Sequence, residues 1–235
     1  MRLFLFGATG LLFAGCSGNA QLGDGGPQVS RDYPVSAFQE VSANGAYDVT
    51  ITTGKAPTVR AEGTQAAIDA LQIEVQNGRL TIRSEPNNKW KVGREAARIS
   101  VTVPALTRAT LAGAGDLVID RVTGDRFEGS VSGAGDLRIG EVAVSQLSLS
   151  LAGAGDIEAA GRTREGRYSV AGAGNMRAPN LTAETAEASV SGAGNISTRV
   201  TGTARATVSG VGDIEISGGA RCQQRTSGMG EVRCS

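Results

Sequence analysis

The sequence predicts an all-β protein: a parallel β-solenoid, similar to a right-handed β-helix, with about 20 residues per coil. The first observation behind this prediction is a motif, Gly-x-Gly followed by Asp, Asn or Glu, that recurs through the second half of the chain. Its first glycines are Gly113, Gly133, Gly153, Gly172, Gly192, Gly210 and Gly228. They are separated by 20, 20, 19, 20, 18 and 18 residues, and a nearly fixed period of this length is typical of stacked coils.

Columns of constant chemical character emerge when the seven copies are aligned. Apolar side chains recur two residues before and four residues after each first glycine, as at Leu111 and Leu117 in the first copy. Five residues before the glycine, opposite charges neighbour each other, as at Arg108 and Glu128. A shift of one residue in strand register would carry these charges into the core. The two kinds of column therefore predict consecutive coils stacked in register.

Residues 1–15 are predicted to be a lipoprotein signal peptide. Arg2 is followed by an apolar run that ends at Phe13, which is too short to span a bilayer as a mature helix. The run ends in "FAGC", which resembles the bacterial lipobox. The resemblance implies that Cys16 is lipidated and becomes the N-terminus of an exported lipoprotein. Such a protein would be anchored in the outer membrane and face the periplasm or the cell exterior. A plain signal peptide with an incidental cysteine is the alternative.

Residues 16–34 are rich in Gly and polar residues, and we predict a flexible tether there. Residues 35–107 lack the repeated motif and are predicted to form an N-terminal β cap over the solenoid. Five alternating segments predict its strands: 47–52, 58–62, 72–75, 79–84 and 98–103. Asn77-Gly78 predicts a hairpin turn between two of them. Residues 64–71 are compatible with either a short helix or an irregular turn.

Residues 108–235 contain the repeats, and each motif is interpreted as the corner of one coil. Glycine suits a sharp bend at positive φ, and stacked corners leave little room for side chains. The residue after the second glycine is Asp116, Asp136, Asp156, Asn175, Asn195, Asp213 or Glu231. Asp and Asn side chains accept hydrogen bonds from nearby backbone amides in turns, so this position is predicted to stabilise each corner.

Two cysteines remain once Cys16 is set aside. Cys222 lies six residues before the last repeated glycine, Gly228, and Cys234 lies six residues after it. An exported protein can form a disulfide, and we predict one that holds the final coil. Two cysteines in a chain without histidine argue against a zinc site, because they supply too few ligands, and no cofactor is expected.

Composition narrows the possible functions. Lys+Arg and Asp+Glu both number 23, so the net charge is zero, which argues against nucleic acid as a partner. The absence of histidine removes the most common general base and metal ligand.

The order of the segments adds a resemblance. "FQEVSANGAYDVTIT", "LQIEVQNGRLTI" and "ISVTVPALTRATLAGAGDLVI", followed by the later GAGD and GAGN copies, resemble the bacterial family called putative auto-transporter adhesin, head GIN domain. The match covers roughly residues 35–234. It implies a β-solenoid with an adhesin-like role, and it supplies no catalytic residue.

We expect a non-enzymatic binding or scaffold module, tethered to the membrane by its lipid, with a saccharide or a cell-envelope protein as partner. The candidate binding face is a column of hydroxyls three residues before each of the first six of these glycines, which we call the hydroxyl column; Arg225 holds the same position before Gly228. The hydroxyl column consists of Thr110, Ser130, Ser150, Ser169, Ser189 and Thr207. The alternative interpretation of this column is that small residues simply pack well beside a tight corner.

Two other functions stay open. Parallel β-helices host enzymes that act on saccharides, but such enzymes need paired carboxylates with tuned pKa values, and the aspartates here occupy the repeated corner position. Calcium binding is the second alternative, with Asp116, Asp136 and Asp156 as candidate ligands. These three would stack as like charges that repel one another, and a cation would relieve that repulsion. The change to Asn at two later corners argues against a calcium site.

Overall fold

The computed structural model describes residues 27–84 and 97–235. Within these ranges the chain forms sixteen strands and one short helix, α1, at Gln65–Asp69. The strands β1 to β16 are, in order, Gln28–Tyr33, Glu40–Gly45, Asp48–Thr53, Thr58–Thr64, Leu71–Gln76, Arg79–Ser84, Arg98–Val103, Arg108–Gly113, Leu117–Gly133, Leu137–Gly153, Asp156–Gly172, Asn175–Gly192, Asn195–Gly210, Ile214–Ser217, Arg221–Gly228 and Val232–Cys234.

The long strands β9 to β13 are the coils of a parallel β-solenoid. Each begins just after one corner and ends at the first glycine of the next, so one strand makes nearly a full turn. Neighbouring strands pair in parallel, with Leu137 of β10 opposite Leu117 of β9 on one side and Ile157 of β11 on the other. This register confirms the predicted fold and the predicted columns.

A single continuous core fills the solenoid. Alternate residues of each strand point inward, and stacking places them in columns such as Val131, Leu151 and Val170, all of them buried. No coil could bury its own apolar face alone, because each covers only the coils on either side of it. Most of the core is aliphatic, and Phe127 and Tyr168 are its largest fully buried side chains in the repeat region.

The N-terminal segment contributes more than a cap, which corrects the predicted boundary at residue 108. Strands β2 and β3 form a complete coil corner that stacks in parallel on the first repeat, with Gly45 opposite Gly113 and Val49 opposite Leu117. The sequence Gly45-Ala46-Tyr47-Asp48 is therefore an eighth copy of the corner, with tyrosine in place of the second glycine. The buried Tyr47 hydroxyl donates a hydrogen bond to the Ile82 carbonyl oxygen at 2.5 Å.

A further layer lies beyond this coil. Strands β6 and β7 pair in parallel with β2 and β3. Antiparallel pairing then adds β5 to β6, β4 to β7 and β1 to β4. The predicted hairpin is confirmed, since β5 and β6 are joined by Asn77 and Gly78, both at positive φ. The segment 64–71 forms helix α1, capped by the Thr64 hydroxyl, and Ile68 is buried.

The predicted tether over 16–34 is too long at its C-terminal end. Residues 28–33 form β1, which pairs along its whole length with β4. Arg31 forms an ion pair with Asp69 at 2.6 Å, and Tyr33 packs partly buried against the core. The sequence did not indicate β1, because only Val29 and Tyr33 among its six residues are apolar and they do not form an alternating pattern. The predicted signal peptide and residues 16–26 of the predicted tether, including Cys16, lie outside the described residues.

At the C-terminal end, β15 and β16 complete the last coil. They stack on β13 and β14, and a disulfide joins Cys222 to Cys234, which confirms the prediction. This bond holds the last coil, which has only one neighbouring coil, against opening.

Candidate binding faces of the solenoid

The glycine corners show how tightly the coils stack. The first glycines of the seven repeated corners, from Gly113 to Gly228, have a φ of 130° to 148°, a conformation that residues with a Cβ rarely adopt. A Cβ on Gly133 would also collide with the carbonyl oxygen of Gly113 and lie 3.0 Å from its carbonyl carbon. That oxygen accepts a hydrogen bond from the Ala134 N–H at 2.9 Å. The corner is therefore a close backbone-to-backbone contact between consecutive coils.

The residues after the second glycine form a continuous ladder, which we call the corner column. It comprises Asp48, Asp116, Asp136, Asp156, Asn175, Asn195, Asp213 and Glu231. In most steps the side-chain Oδ1 of one member accepts a hydrogen bond from the backbone N–H of the next. Asp136 accepts from Asp156 N–H at 2.9 Å, and Asp213 accepts from Glu231 N–H at 2.8 Å. We predicted bonds within each turn; instead, they run from coil to coil.

Arginines next to the corner column offset the repulsion between its carboxylates. Arg138 lies 3.0 Å from Asp136 and 3.6 Å from Asp116, and its Nε lies 3.5 Å from Glu158. Arg177 forms an ion pair with Asp156. Burial raises the pKa of Asp156, but the hydrogen bonds from Arg177 and from the backbone and side chain of Asn175 outweigh it and lower the pKa below its usual value.

The corner column has the character of a structural element. Its Oδ1 atoms are already bonded to backbone N–H groups, and its neutral members bond to each other: Asn195 donates to Asn175 Oδ1 at 3.0 Å. Within 27–84 and 97–235, no group of three or more His, Cys, Asp or Glu side chains is arranged to hold a metal ion. The calcium alternative at Asp116, Asp136 and Asp156 therefore gains no geometric support from the described residues.

The structure brings the whole hydroxyl column together on one outward face. Consecutive members are direct register partners, from Thr110 and Ser130 through to Ser189 and Thr207, so their spacing is that of neighbouring parallel strands, about 4.8 Å. The side chains are half-buried or exposed. None of the six hydroxyls hydrogen-bonds to another residue of the described chain. The column is thus a straight row of available donors and acceptors.

A column of charges runs parallel to the hydroxyl column, two residues earlier in each strand. Arg108 and Glu128 are register partners and form an ion pair at 2.8 Å, which confirms the predicted alternation of charge. On the strand after the corner, Arg138 is opposite Glu158. Between the hydroxyl column and the corner lie only small side chains, such as Ser132 and Ala152. The face that results is polar from Thr110 to Thr207.

Comparison with known proteins places this architecture in a family. The model of the family described as "putative auto-transporter adhesin, head GIN domain" matches residues 37–220. The chain belongs to this family. The matched region includes the N-terminal coil at Gly45 and six of the seven repeated corners, which agrees with the resemblance noted in the sequence. No curated protein matches the chain.

Solved structures share the head GIN architecture. A putative adhesin from Bacteroides fragilis is 26% identical, with a TM-score of 0.84 over 89% of this chain and 97% of that one. A putative lipid binding protein from Parabacteroides distasonis has a TM-score of 0.71 at 24% identity, covering 91% and 98%. A putative adhesin from the same organism has a TM-score of 0.72 at 22% identity, covering 89% and 98%. The last two likenesses establish the fold alone. No helix among the described residues is long and apolar enough to cross a membrane.

Proposed function

We propose that this head GIN protein is an exported lipoprotein that displays its solenoid from the cell envelope as a binding module and acts without catalysis. Membership of an adhesin-like family supports a location at the cell surface or outside the cell. The observation that carries the binding proposal is the hydroxyl column. Its six hydroxyls stand in register on one exposed face and have no hydrogen-bond partner in the described protein.

A row of this kind suits a polymer better than a small molecule. From Thr110 to Thr207 one hydroxyl recurs at each coil, about every 4.8 Å, so an extended chain lying along this row meets an equivalent group at every step. Each hydrogen bond contributes little because it replaces one with water. Many equivalent contacts along one chain add up through effective concentration. The partner is therefore an extended envelope saccharide or a protein that offers repeated polar groups.

The same regularity argues against catalysis. From Gly113 to Gly228 successive corners are 18 to 20 residues apart, so no coil carries an inserted loop that would build a deep cleft. The corner carboxylates are held by backbone N–H groups of the next coil. A glycosidase would need a pair of carboxyls free to exchange protons across a bound sugar.

The anchor is proposed at Cys16, in the "FAGC" stretch. Eleven residues, 17–27, separate this cysteine from Gln28, where β1 begins. At no more than about 3.6 Å per residue they would span at most about 40 Å. The tether is therefore shorter than the sequence alone suggested, and the solenoid would stay close to the membrane that anchors it.

Cell fractionation tests the anchor. We expect Cys16→Ser to move the full chain from the membrane fraction to the soluble exported fraction, because it removes the site of lipidation. The double variant Cys222→Ser/Cys234→Ser is the control, since it also replaces cysteine with serine but leaves the anchor, and it should stay with the membrane. Retention of the Cys16→Ser protein on membranes would contradict the lipoprotein proposal.

Retention of labelled envelope saccharides and envelope proteins on the immobilised full chain tests the binding face. Replacing Ser130, Ser150, Ser169 and Ser189 with alanine should abolish retention, because it removes hydroxyls without adding bulk. The control replaces Ser132, Ser191 and Ser209 in the neighbouring column of small residues and should retain the partner. Equal retention by both variants would rule out the hydroxyl column as the binding face.

A further inference from the structure

A shallow groove of about 610 Å³ crosses the last four coils, beside the hydroxyl column. Its floor is one column of inward-facing residues, Gly166, Ala186, Ala204 and Cys222. Its walls are the outward-facing side chains of the residues immediately before and after each of these four. In the first two coils of the repeat region the same inward position holds the larger Phe127 and Leu147. The change to small residues occurs where Tyr168 folds back beneath Gly166, since a Cβ on that glycine would collide with the Tyr168 ring.

The charges in this groove differ from those in the rest of the solenoid. Arg167, Glu187 and Arg205 are consecutive register partners on one wall, yet none of them forms an ion pair with any described residue, whereas Arg108 and Glu128 in the same column do. Arg205 donates only a long hydrogen bond, 3.3 Å, to Gln223. Across the groove, Arg221 also has no ion-pair partner in the described chain, and Glu165 on the same wall only accepts a 3.4 Å hydrogen bond from Gln146. Guanidinium groups exposed in a concavity without a carboxylate partner are suited to bind an anion bidentately.

The order of charges along the wall selects the type of anion. Arg167 and Arg205 are two coils apart, about 9.6 Å at the spacing of parallel strands, with the carboxylate of Glu187 between them. A polymer with an anionic group on every unit would place one of them against Glu187. A polymer with an anionic group on every second unit would meet an arginine, then a hydrogen-bond acceptor, then an arginine. This spacing is close to the length of two extended pyranose units.

We infer that this groove binds an acidic polysaccharide that carries a carboxylate on alternate sugar units. The arginines bind the carboxylates, while Glu187 and the wall hydroxyls of Thr185 and Thr203 bind sugar hydroxyls. The groove crosses the strands rather than following an open sheet edge, and its floor offers no deep apolar pocket, which disfavours a peptide. The inference deepens the proposed binding function and rests on it, because the same chain would lie against the neighbouring hydroxyl column.

Titration of the full chain in mild detergent with hyaluronan oligosaccharides tests the inference, since these carry a uronate on every second unit. We expect binding that weakens with added salt. Arg167→Gln/Arg205→Gln should lower the affinity at least about tenfold, because each removes a charge-assisted hydrogen bond. Arg108→Gln is the matched control: it lies in the same column but outside the groove, is ion-paired to Glu128, and should bind like the wild type.

Oligogalacturonate, charged on every unit, should bind the wild type more weakly than hyaluronan, and Glu187→Gln should narrow the difference. The inference is wrong if hyaluronan does not bind, if the double arginine variant binds it equally well, or if oligogalacturonate or poly-glutamate binds more tightly. If retention of envelope saccharide depends on the hydroxyl column but not on Arg167 and Arg205, the groove is not the binding site, and the proposed binding function of the solenoid still holds. Circular dichroism of each variant checks that it is folded.

Discussion

Substitution of Gly133 by alanine should destabilise the solenoid far more than the same substitution at Gly124, a glycine with a similar positive φ. At Gly133, φ is +138°, and a Cβ would collide with the carbonyl oxygen of Gly113 in the preceding coil. At Gly124, φ is +124°, but a Cβ there would have no other atom within 4 Å. Comparing the two glycines therefore separates the cost of the backbone conformation from the cost of stacking.

The magnitudes follow from these two environments. Backbone strain alone should cost Gly124→Ala about 1–3 kcal/mol. Gly133→Ala adds a collision that only a separation of the two coils can relieve. That separation would stretch the bonds from Ala134 N–H to Gly113 and from Asp136 N–H to Asp116, now 2.9 and 3.2 Å long. With each bond worth about 1 kcal/mol and core packing lost as well, the total should exceed about 4 kcal/mol.

Urea unfolding followed by circular dichroism measures the difference. Gly135→Ala completes the set, because that glycine lacks positive φ but its Cβ would meet the carbonyl of Gly115; its loss of stability should reflect the stacking collision alone. Gly133→Val should be worse than Gly133→Ala, since valine is β-branched. If Gly133→Ala were no more destabilising than Gly124→Ala, the corners would not be close backbone contacts and the stacking argument would fail.

Further outcomes can be measured by urea unfolding at different pH values, by titration of thiols and by melting curves. The pKa of Asp156 is lowered in the folded protein, so its contribution to stability is present above about pH 4, its unfolded value, and is lost as the pH falls through the folded pKa; Asp156→Asn should be less sensitive to acid, and an unchanged acid response would contradict this. Burial raises the pKa of Tyr168 to about 12. The contribution of its neutral phenol to the free energy of unfolding should therefore be fully present below about pH 10, the unfolded value, and decline as the pH approaches 12. The buried Tyr168 hydroxyl forms no hydrogen bond of normal geometry, although the equally buried Thr198 hydroxyl is close enough to oppose the rise in its pKa. Tyr168→Phe should therefore be neutral or stabilising by up to about 1 kcal/mol and should resist alkali; a large loss of stability would show that the two hydroxyls are hydrogen-bonded. Removing the Cys222–Cys234 disulfide should cost roughly 3 kcal/mol in the chain-entropy model, and two free thiols in the oxidised protein would disprove the bond. Calcium should leave the melting temperature as it is in chelator, and a calcium-dependent rise would make the corner column a metal site.

The periodic half of the molecule could be predicted from sequence because every coil meets the same constraints. Each corner needs glycine and each inward position needs an apolar residue, so seven copies expose a register that one copy would not. The N-terminal half could not be predicted in this way. The corner at Gly45 carries Tyr47 where the repeats have glycine, and its partner, Gly113, is 68 residues away. Pairing between distant segments leaves no periodic trace in the chain.

The candidate sites divide in the same way. The members of the hydroxyl column could be named from the sequence because they share one position in every repeat. The direction of the corner hydrogen bonds could not, since the N–H nearest each aspartate belongs to the next coil and its position depends on how the coils stack. The groove begins where the Tyr168 ring packs under Gly166, and nothing in the repeat pattern indicates that contact. Which arginines lack an ion-pair partner is visible only from the arrangement of side chains in the structure.

The groove and the C-terminal disulfide are physically linked. Cys222 forms part of the groove floor, and it follows directly after Arg221 on the groove wall. In a solenoid each coil is stabilised mainly by its neighbours, and the last coil has only one. Without the disulfide, β15 would therefore open before any inner strand and carry Arg221 away. Arg205, whose register partner on that side is Gln223 of β15, would then lie on an open edge, while Arg167 stays on a strand that is paired on both sides. The Cys222–Cys234 disulfide therefore keeps Arg221 in the groove together with Arg167 and Arg205, because the groove extends only over coils that remain paired.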